Sequence, residues 1–147
     1  MNISIIGSGY VGLVSGLCLA EKGHNVVCYD INNKIVDRIN NCTPHFFEPG
    51  LKTLLRKNLN SKRFTANILD KNTYFNSNVI IVAVGTPTKR KNIDLSQVKK
   101  ALIHIAKYIK NNKKFTSIIL KSTIPPGTTD TYVKKIIEKY SNKKHGE

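Results

Sequence analysis

Two kinds of apolar spacing alternate along this chain. Asn2–Ile6 is a short β-rich run that ends at a cluster of glycines, after which the period lengthens. Leu13, Leu17 and Ala20 then share one helical face between Tyr10 and Lys22, and Gly23 stands where a helix C-terminus favours a left-handed residue. Asn25–Tyr29 reads as a second strand, and Ile35 and Ile39, one turn apart, mark a short helix. Thr43–Gly50 contains Pro44 and Pro49 and reads as loop, whereas Leu51, Leu54, Leu55 and Leu59 trace an amphipathic helix. Arg63–Ala66 is a weaker strand signal. Asn78–Val84 is the strongest one, because Val79 to Val84 run apolar without interruption, as in a parallel strand covered on both faces. After a loop rich in Lys and Arg, a helix capped by Ser96 is expected to bury Val98, Ala101, Leu102, Ile105, Ala106 and Ile109. Thr116–Leu120 reads as a further strand and Ser122–Thr128 as a Pro/Gly turn. Val133, Ile136 and Ile137 belong to a last helix.

Strands alternating with helices imply right-handed βαβ units and a parallel sheet. The pattern therefore predicts an α/β fold of Rossmann type, a doubly wound parallel sheet with five strands. A six-stranded version would need one more strand after the helix that runs out near Ser141–Glu147, so residues 1–147 are expected to form a domain truncated before its last strand. The length of 147 residues fits about one domain, and no solenoid-type repeat is visible. No apolar run approaches the ~20 residues of a membrane span, and no basic segment precedes the first apolar residues. Cys18, Cys28 and Cys42 have no metal-ligand spacing, and Cys18 and Cys28 fall in apolar runs where free cysteine behaves as a small buried hydrophobe. An odd cysteine count without a secretory signal fits a reducing, cytoplasmic setting.

Composition adds one unusual quantity. The chain carries 24 Lys+Arg against 9 Asp+Glu, a formal charge of +15. Clustered cations are the footprint of nucleic-acid binding. Here, however, Lys62-Arg63, Lys89-Arg90-Lys91, Lys99-Lys100 and Lys134-Lys135 are scattered over loops and outer helix faces, and no nucleic-acid-binding signature accompanies them. Pairs such as Asn32-Asn33, Asn111-Asn112 and Lys113-Lys114 fit a general bias toward Lys and Asn. The expected partner is not a nucleic acid. His24, His45, His104 and His145 show no spacing that suggests a metal or acid–base pair.

The specific chemistry lies in Gly7-Ser8-Gly9-Tyr10-Val11-Gly12, a G-x-G-x-x-G sequence that directly follows the first strand and opens the first helix. Gly7 permits a tight turn, Gly9 lets backbone approach a pyrophosphate, and Gly12 allows helix and strand to pack closely. The helix N-terminus then offers unpaired N–H groups to the phosphates. Such a loop calls for a carboxylate at the end of the second strand, and Asp30 stands there, 18 residues past Gly12. Its carboxylate would accept from the adenosine ribose hydroxyls and repel a 2′-phosphate, favouring NAD over NADP.

Beyond the loop, the chain resembles the UDP-glucose/GDP-mannose dehydrogenases. The carriers, in order, are Gly7 to Leu13, Glu48-Pro49-Gly50-Leu51, Val84-Gly85-Thr86-Pro87, Asp94-Leu95 and Ser122-Thr123-Ile124-Pro125-Pro126-Gly127-Thr128. The resemblance implies cofactor contacts at Tyr10, Val11, Thr86, Pro87 and Thr123 beside Gly7, Gly9, Gly12 and Asp30, with Thr123 near the reacting centre. Read without it, the Thr86 and Thr123 hydroxyls would be ordinary turn groups bonded to local backbone. Glu48 reads as a turn residue before a helix. In this family a basic residue sits five positions after the acidic one. Ile35 occupies that position here, with Lys34 rotated about 100° away on the helix.

The activity so implied is a two-step, four-electron oxidation of a nucleotide sugar's C6 alcohol to a carboxylate with two NAD. UDP-glucose is the foremost substrate, and GDP-mannose and UDP-N-acetylhexosamine are the alternatives. The family's catalytic cysteine belongs to a glycine-rich segment that has no counterpart here, so no catalytic residue is assigned. The resemblance further implies that the central helical and substrate domains are missing, that the fragment is inactive alone, and that the full-length enzyme is a homo-oligomer. A dinucleotide-binding module without chemistry is the other reading.

Overall fold

The computed structural model describes all residues except Asn72, Tyr74, Arg90, Lys91, Lys113 and Glu147. The expectations that touch Arg90, Lys91 and Lys113 therefore lie outside the described residues. In chain order the elements are β1 (Asn2–Ile6), α1 (Tyr10–Glu21), β2 (Asn25–Asp30), α2 (Asn33–Asn40), α3 (Leu51–Asn60), β3 (Phe64–Ile68), β4 (Val79–Val82), β5 (Thr88–Lys89), β6 (Asn92–Ile93), α4 (Ser96–Asn111), β7 (Ser117–Leu120) and, after a π-helical turn at Thr129–Val133, α5 (Lys134–Ser141).

Five strands form one parallel sheet in the order β3-β2-β1-β4-β7. Ile5 of β1 is the register point, paired with Cys28 on one side and Ile81 on the other. The chain winds outward from β1 through β2 to β3, returns to β4 on the other side of β1, and winds out to β7. Between β1 and β4 the direction of winding reverses, which opens a crevice at the carboxyl ends of those strands.

Alternate strand residues feed two cores. Ile5, Val26, Cys28 and Ile81 pack with Leu13 and Leu17 of α1, Val36 and Ile39 of α2, and Leu51 and Leu55 of α3. Ile6, Ile80 and Val82 pack with Val98, Leu102 and Ile105 of α4 and Ile136 of α5. The doubly wound arrangement expected from the pattern is thus the one found.

Several local expectations are corrected. The Lys/Arg-rich loop contains an antiparallel hairpin of β5 and β6, in which Thr88 pairs with Ile93. Two-residue strands are too short to leave a period. Ser96 is not the cap of α4: Leu95 holds that position, and the Asp94 carboxylate accepts the Ser96 N–H at 2.8 Å. β4 ends at Val82, although the Ala83 N–H still donates to the Ile6 carbonyl, because the chain then turns over the glycine loop. On α4, Tyr108 is buried while Ile109 is half-buried, since Tyr108 meets Phe75 edge-on and its hydroxyl accepts from Asn112. Cys18 is exposed, its apolar neighbours in sequence being on other faces of α1, whereas Cys28 is buried. Among the described residues no helix is long and apolar enough to cross a membrane.

Candidate dinucleotide-binding cleft

The glycine loop is shaped by three glycines with different work. Gly7 adopts φ +101°, and a Cβ there would stand 2.7 Å from the Ala83 carbonyl oxygen. A Cβ on Gly12 would lie 1.9 Å from the Gly7 carbonyl oxygen, an impossible contact. Gly9 differs: it caps α1 in an ordinary extended conformation, and a Cβ there would meet nothing within 4 Å. The folded protein needs Gly7 and Gly12. It has no packing reason for Gly9, whose bare face borders open space.

Asp30 ends β2 beside this loop. Its Oδ2 accepts both the Ser8 N–H (2.9 Å) and the Ser8 hydroxyl (2.6 Å), and its Oδ1 accepts the Asn32 N–H (3.0 Å). The cap of α2 is Asn32, whose side chain accepts the Lys34 N–H at 3.0 Å. Ile35 packs against the core and Lys34 is exposed, so the basic position expected beside the ribose is filled by an apolar contact.

Around these groups opens a cleft of about 680 Å³, walled by Gly7, Gly9, Asp30, Ile31, Leu69 and Gly85 and, from α4, Gln97, Lys100 and His104. Of the residues singled out from sequence, Gly7, Gly9 and Asp30 line it, and Thr86 directly follows its wall at Gly85. Tyr10, Val11, Gly12, Pro87 and Thr123 are outside the wall. Tyr10, Val11, Pro87 and Thr123 are exposed on the rim, and Gly12 is buried in the turn. The two rim loops are joined, because the Ser122 hydroxyl donates to the Val84 carbonyl at 2.7 Å. Among the described residues, neither Thr86 nor Thr123 uses its hydroxyl on local backbone.

Sequence reasoning missed Ser8 and the α4 wall. Gln97, Lys100 and His104 recur at i, i+3 and i+7, a polar stripe one quarter-turn from the apolar face. Burial, reinforced by Lys107, holds the His104 pKa below its usual value, which favours the uncharged imidazole in this wall. A separate hollow of about 540 Å³ lies under residues 43–53. Arg38, His45, Phe46 and Lys52 line it, but neither the glycine loop nor Asp30 does. Phe46 nevertheless braces the loop, its ring 5.4 Å from that of Tyr10. Glu48 supplies its carbonyl to the Leu51 N–H at the start of α3. Burial pushes the Cys28 thiol far above its usual pKa, which rules it out as a nucleophile.

Comparison with known proteins agrees with this geometry. The family model described as "UDP-glucose/GDP-mannose dehydrogenase family, NAD binding domain" matches residues 1–147. UDP-glucose 6-dehydrogenase YwqF of Bacillus subtilis is 40% identical over 131 residues, covering 88% of this chain and 29% of the relative. GDP-mannose 6-dehydrogenase of Pseudomonas aeruginosa is 34% identical over 147 residues, covering 99% of this chain and 34% of the relative. Among solved structures, a ternary complex of GDP-mannose dehydrogenase from Pseudomonas aeruginosa superposes with a TM-score of 0.93 at 34% identity, over 98% of this chain and 33% of that one. A UDP-glucose dehydrogenase from Pyrobaculum islandicum gives 0.91 at 33% identity, over 97% and 33%. The chain spans about a third of the length of the relatives it matches. It belongs to the UDP-glucose/GDP-mannose dehydrogenase family, of which it is the NAD-binding domain.

Proposed function

We propose that this chain holds NAD in the cleft at the carboxyl ends of β1 and β4, as the cofactor-binding part of a nucleotide-sugar dehydrogenase. One observation carries the reading: the middle glycine of the loop faces open space while its neighbours are locked against backbone. A protein surface has no need of a bare position there, but a pyrophosphate does, since only without a Cβ can its oxygens reach the N–H groups at the start of α1. Gly7, Gly9 and Gly12 shape that approach, and Asp30 takes the adenosine ribose. Ile31, Leu69 and Ala83 supply apolar wall for the adenine. Tyr10, Val11, Thr86, Pro87 and Thr123, on the rim, meet the rest of the dinucleotide. The cofactor, when bound, supplies a hydride acceptor; these residues bind and orient it.

The activity of the whole enzyme follows from its relatives. UDP-glucose is the preferred substrate of this reading, oxidised at C6 to the carboxylate. GDP-mannose remains the second reading, on the strength of the 0.93 superposition. The chain spans about a third of the length of its relatives, and this reading places the enzyme's catalytic groups and substrate-binding domains in the other two thirds. The full enzyme is read as a homo-oligomer, and the three free cysteines support a reducing, cytoplasmic setting.

Calorimetric titration tests the cleft. The chain is expected to bind NAD and ADP, and Gly9→Val to abolish both while melting as the unaltered protein does. Normal binding by a folded Gly9→Val chain would sink the reading. Supplying the remaining two thirds of a family enzyme and assaying UDP-glucose against GDP-mannose then separates the substrates.

A further inference from the structure

We propose that Ser8, the unspecified second residue of the glycine loop, positions Asp30 for the adenosine ribose. The inference rests on the reading of the cleft as the NAD site. Ser8 is 0% exposed, and both of its hydrogen-bond donors, the N–H and the hydroxyl, are committed to one atom, Asp30 Oδ2. A carboxylate offers about four lone-pair positions. The Ser8 N–H and hydroxyl occupy those of Oδ2, and the Asn32 N–H takes one on Oδ1. One acceptor position remains, on Oδ1, and Asp30 lines the cleft.

Two consequences follow. The Ser8 N–H is turned to Asp30, so the phosphates must be met by later N–H groups of the loop. The acid that reads the ribose is also fixed by the loop that cradles the phosphates, so the two contacts are set at one mutual distance. A side-chain carboxylate without this clasp can rotate about two bonds, and it loses rotamer freedom when a ribose arrives. With the clasp that ordering is already done. An O–H···O⁻ bond of 2.6 Å is of the charge-assisted kind, about twice as strong as a neutral one. Ser8 touches no ligand in this arrangement; it acts through Asp30.

The test compares ADP with 2′,3′-dideoxy-ADP, which has the same phosphates and base but no ribose hydroxyl. Ser8→Ala is expected to weaken ADP and NAD binding about tenfold, corresponding to ~1.4 kcal/mol, and to change dideoxy-ADP binding less than about twofold. Ser8→Thr, which keeps the hydroxyl, is expected to restore ADP affinity. Should Ser8→Ala fail to fold, the near-isosteric Ser8→Cys, a poor donor, is subjected to the same pair of ligands. An equal loss for both ligands overturns the proposal, because a residue that merely holds the loop together would weaken phosphate binding too. Unchanged ADP affinity in a folded Ser8→Ala or Ser8→Cys chain also overturns it. Failure of the unaltered chain to bind either ADP or NAD removes the cleft reading itself, a distinct result from loss of the Ser8 effect alone.

Discussion

At the scale of single residues, the three loop glycines separate folding from binding. Gly12→Ala forces a Cβ to within 1.9 Å of the Gly7 carbonyl, so either the helix or the turn must move. Thermal melting is expected to show a loss of several kcal/mol, as for other severe overpacking. Gly9→Ala adds a methyl to open space at a φ of −63°, which any residue adopts. Its melting temperature is expected to stay within about 2 °C, equivalent to at most ~0.5 kcal/mol. Its NAD affinity is expected to fall at least about tenfold by calorimetry, which is the energetic scale of one lost phosphate contact. Asp30→Ala tests the ribose contact: NAD should weaken about tenfold and the preference over NADP should shrink, whereas unchanged affinities for both would refute the assignment. The glycines and Asp30 were legible because their spacing is local and their geometry obligatory. Ser8 was not, because the position tolerates many residue types and its role exists only once β2 has brought Asp30 to within 2.6 Å.

At the scale of elements, long periodic segments declared themselves and short ones did not. The face Leu13–Leu17–Ala20 of α1 and the run in β4 have enough residues to establish a period. The β5–β6 hairpin has two residues a side and is set by its flanks: the Asp94 N–H donates to the Pro87 carbonyl at 2.8 Å, and Lys89 pairs with Asp94 at 2.5 Å. That pair, with the Ser96 N–H and hydroxyl, holds the Asp94 pKa down at about 2. A depressed carboxylate stabilises the fold above its unfolded pKa, and the contribution is lost as pH falls through about 2. Carbon-detected NMR titration should therefore find Asp94 still ionised at pH 3, where an ordinary aspartate is mostly protonated. Lys89→Ala should raise its midpoint toward the usual value; an unmoved midpoint would assign the effect to Ser96 alone.

At the scale of the whole molecule, the doubly wound parallel sheet was implied by the alternation of elements and right-handed crossovers, whereas the strand order, and with it the crevice between β1 and β4, needed the structure. The charge needed the structure too. Glu21 pairs with Lys57 and Asp94 with Lys89. With 24 Lys+Arg and only 9 Asp+Glu, the carboxylates run out long before the cations do. The remaining cations repel one another across a small sphere, a cost that grows with net charge and is screened by salt over a Debye length of about 10 Å at 0.1 M. If the excess is only a solvated surface, raising NaCl from 20 mM to 500 mM should raise the melting temperature by a few degrees. Duplex DNA binding should stay sequence-independent and no tighter than about micromolar at physiological salt, the level of any cationic surface. If the cations instead form a nucleic-acid site, submicromolar binding to a duplex would persist at 150 mM NaCl, with a steep linear dependence of log K on log salt. Screening strengthens the isolated fold on either reading, so the melting scan measures the self-repulsion and only the binding isotherm measures the partner. Submicromolar duplex binding at about 150 mM NaCl assigns the cations to a nucleic-acid site, and its absence leaves them a solvated surface.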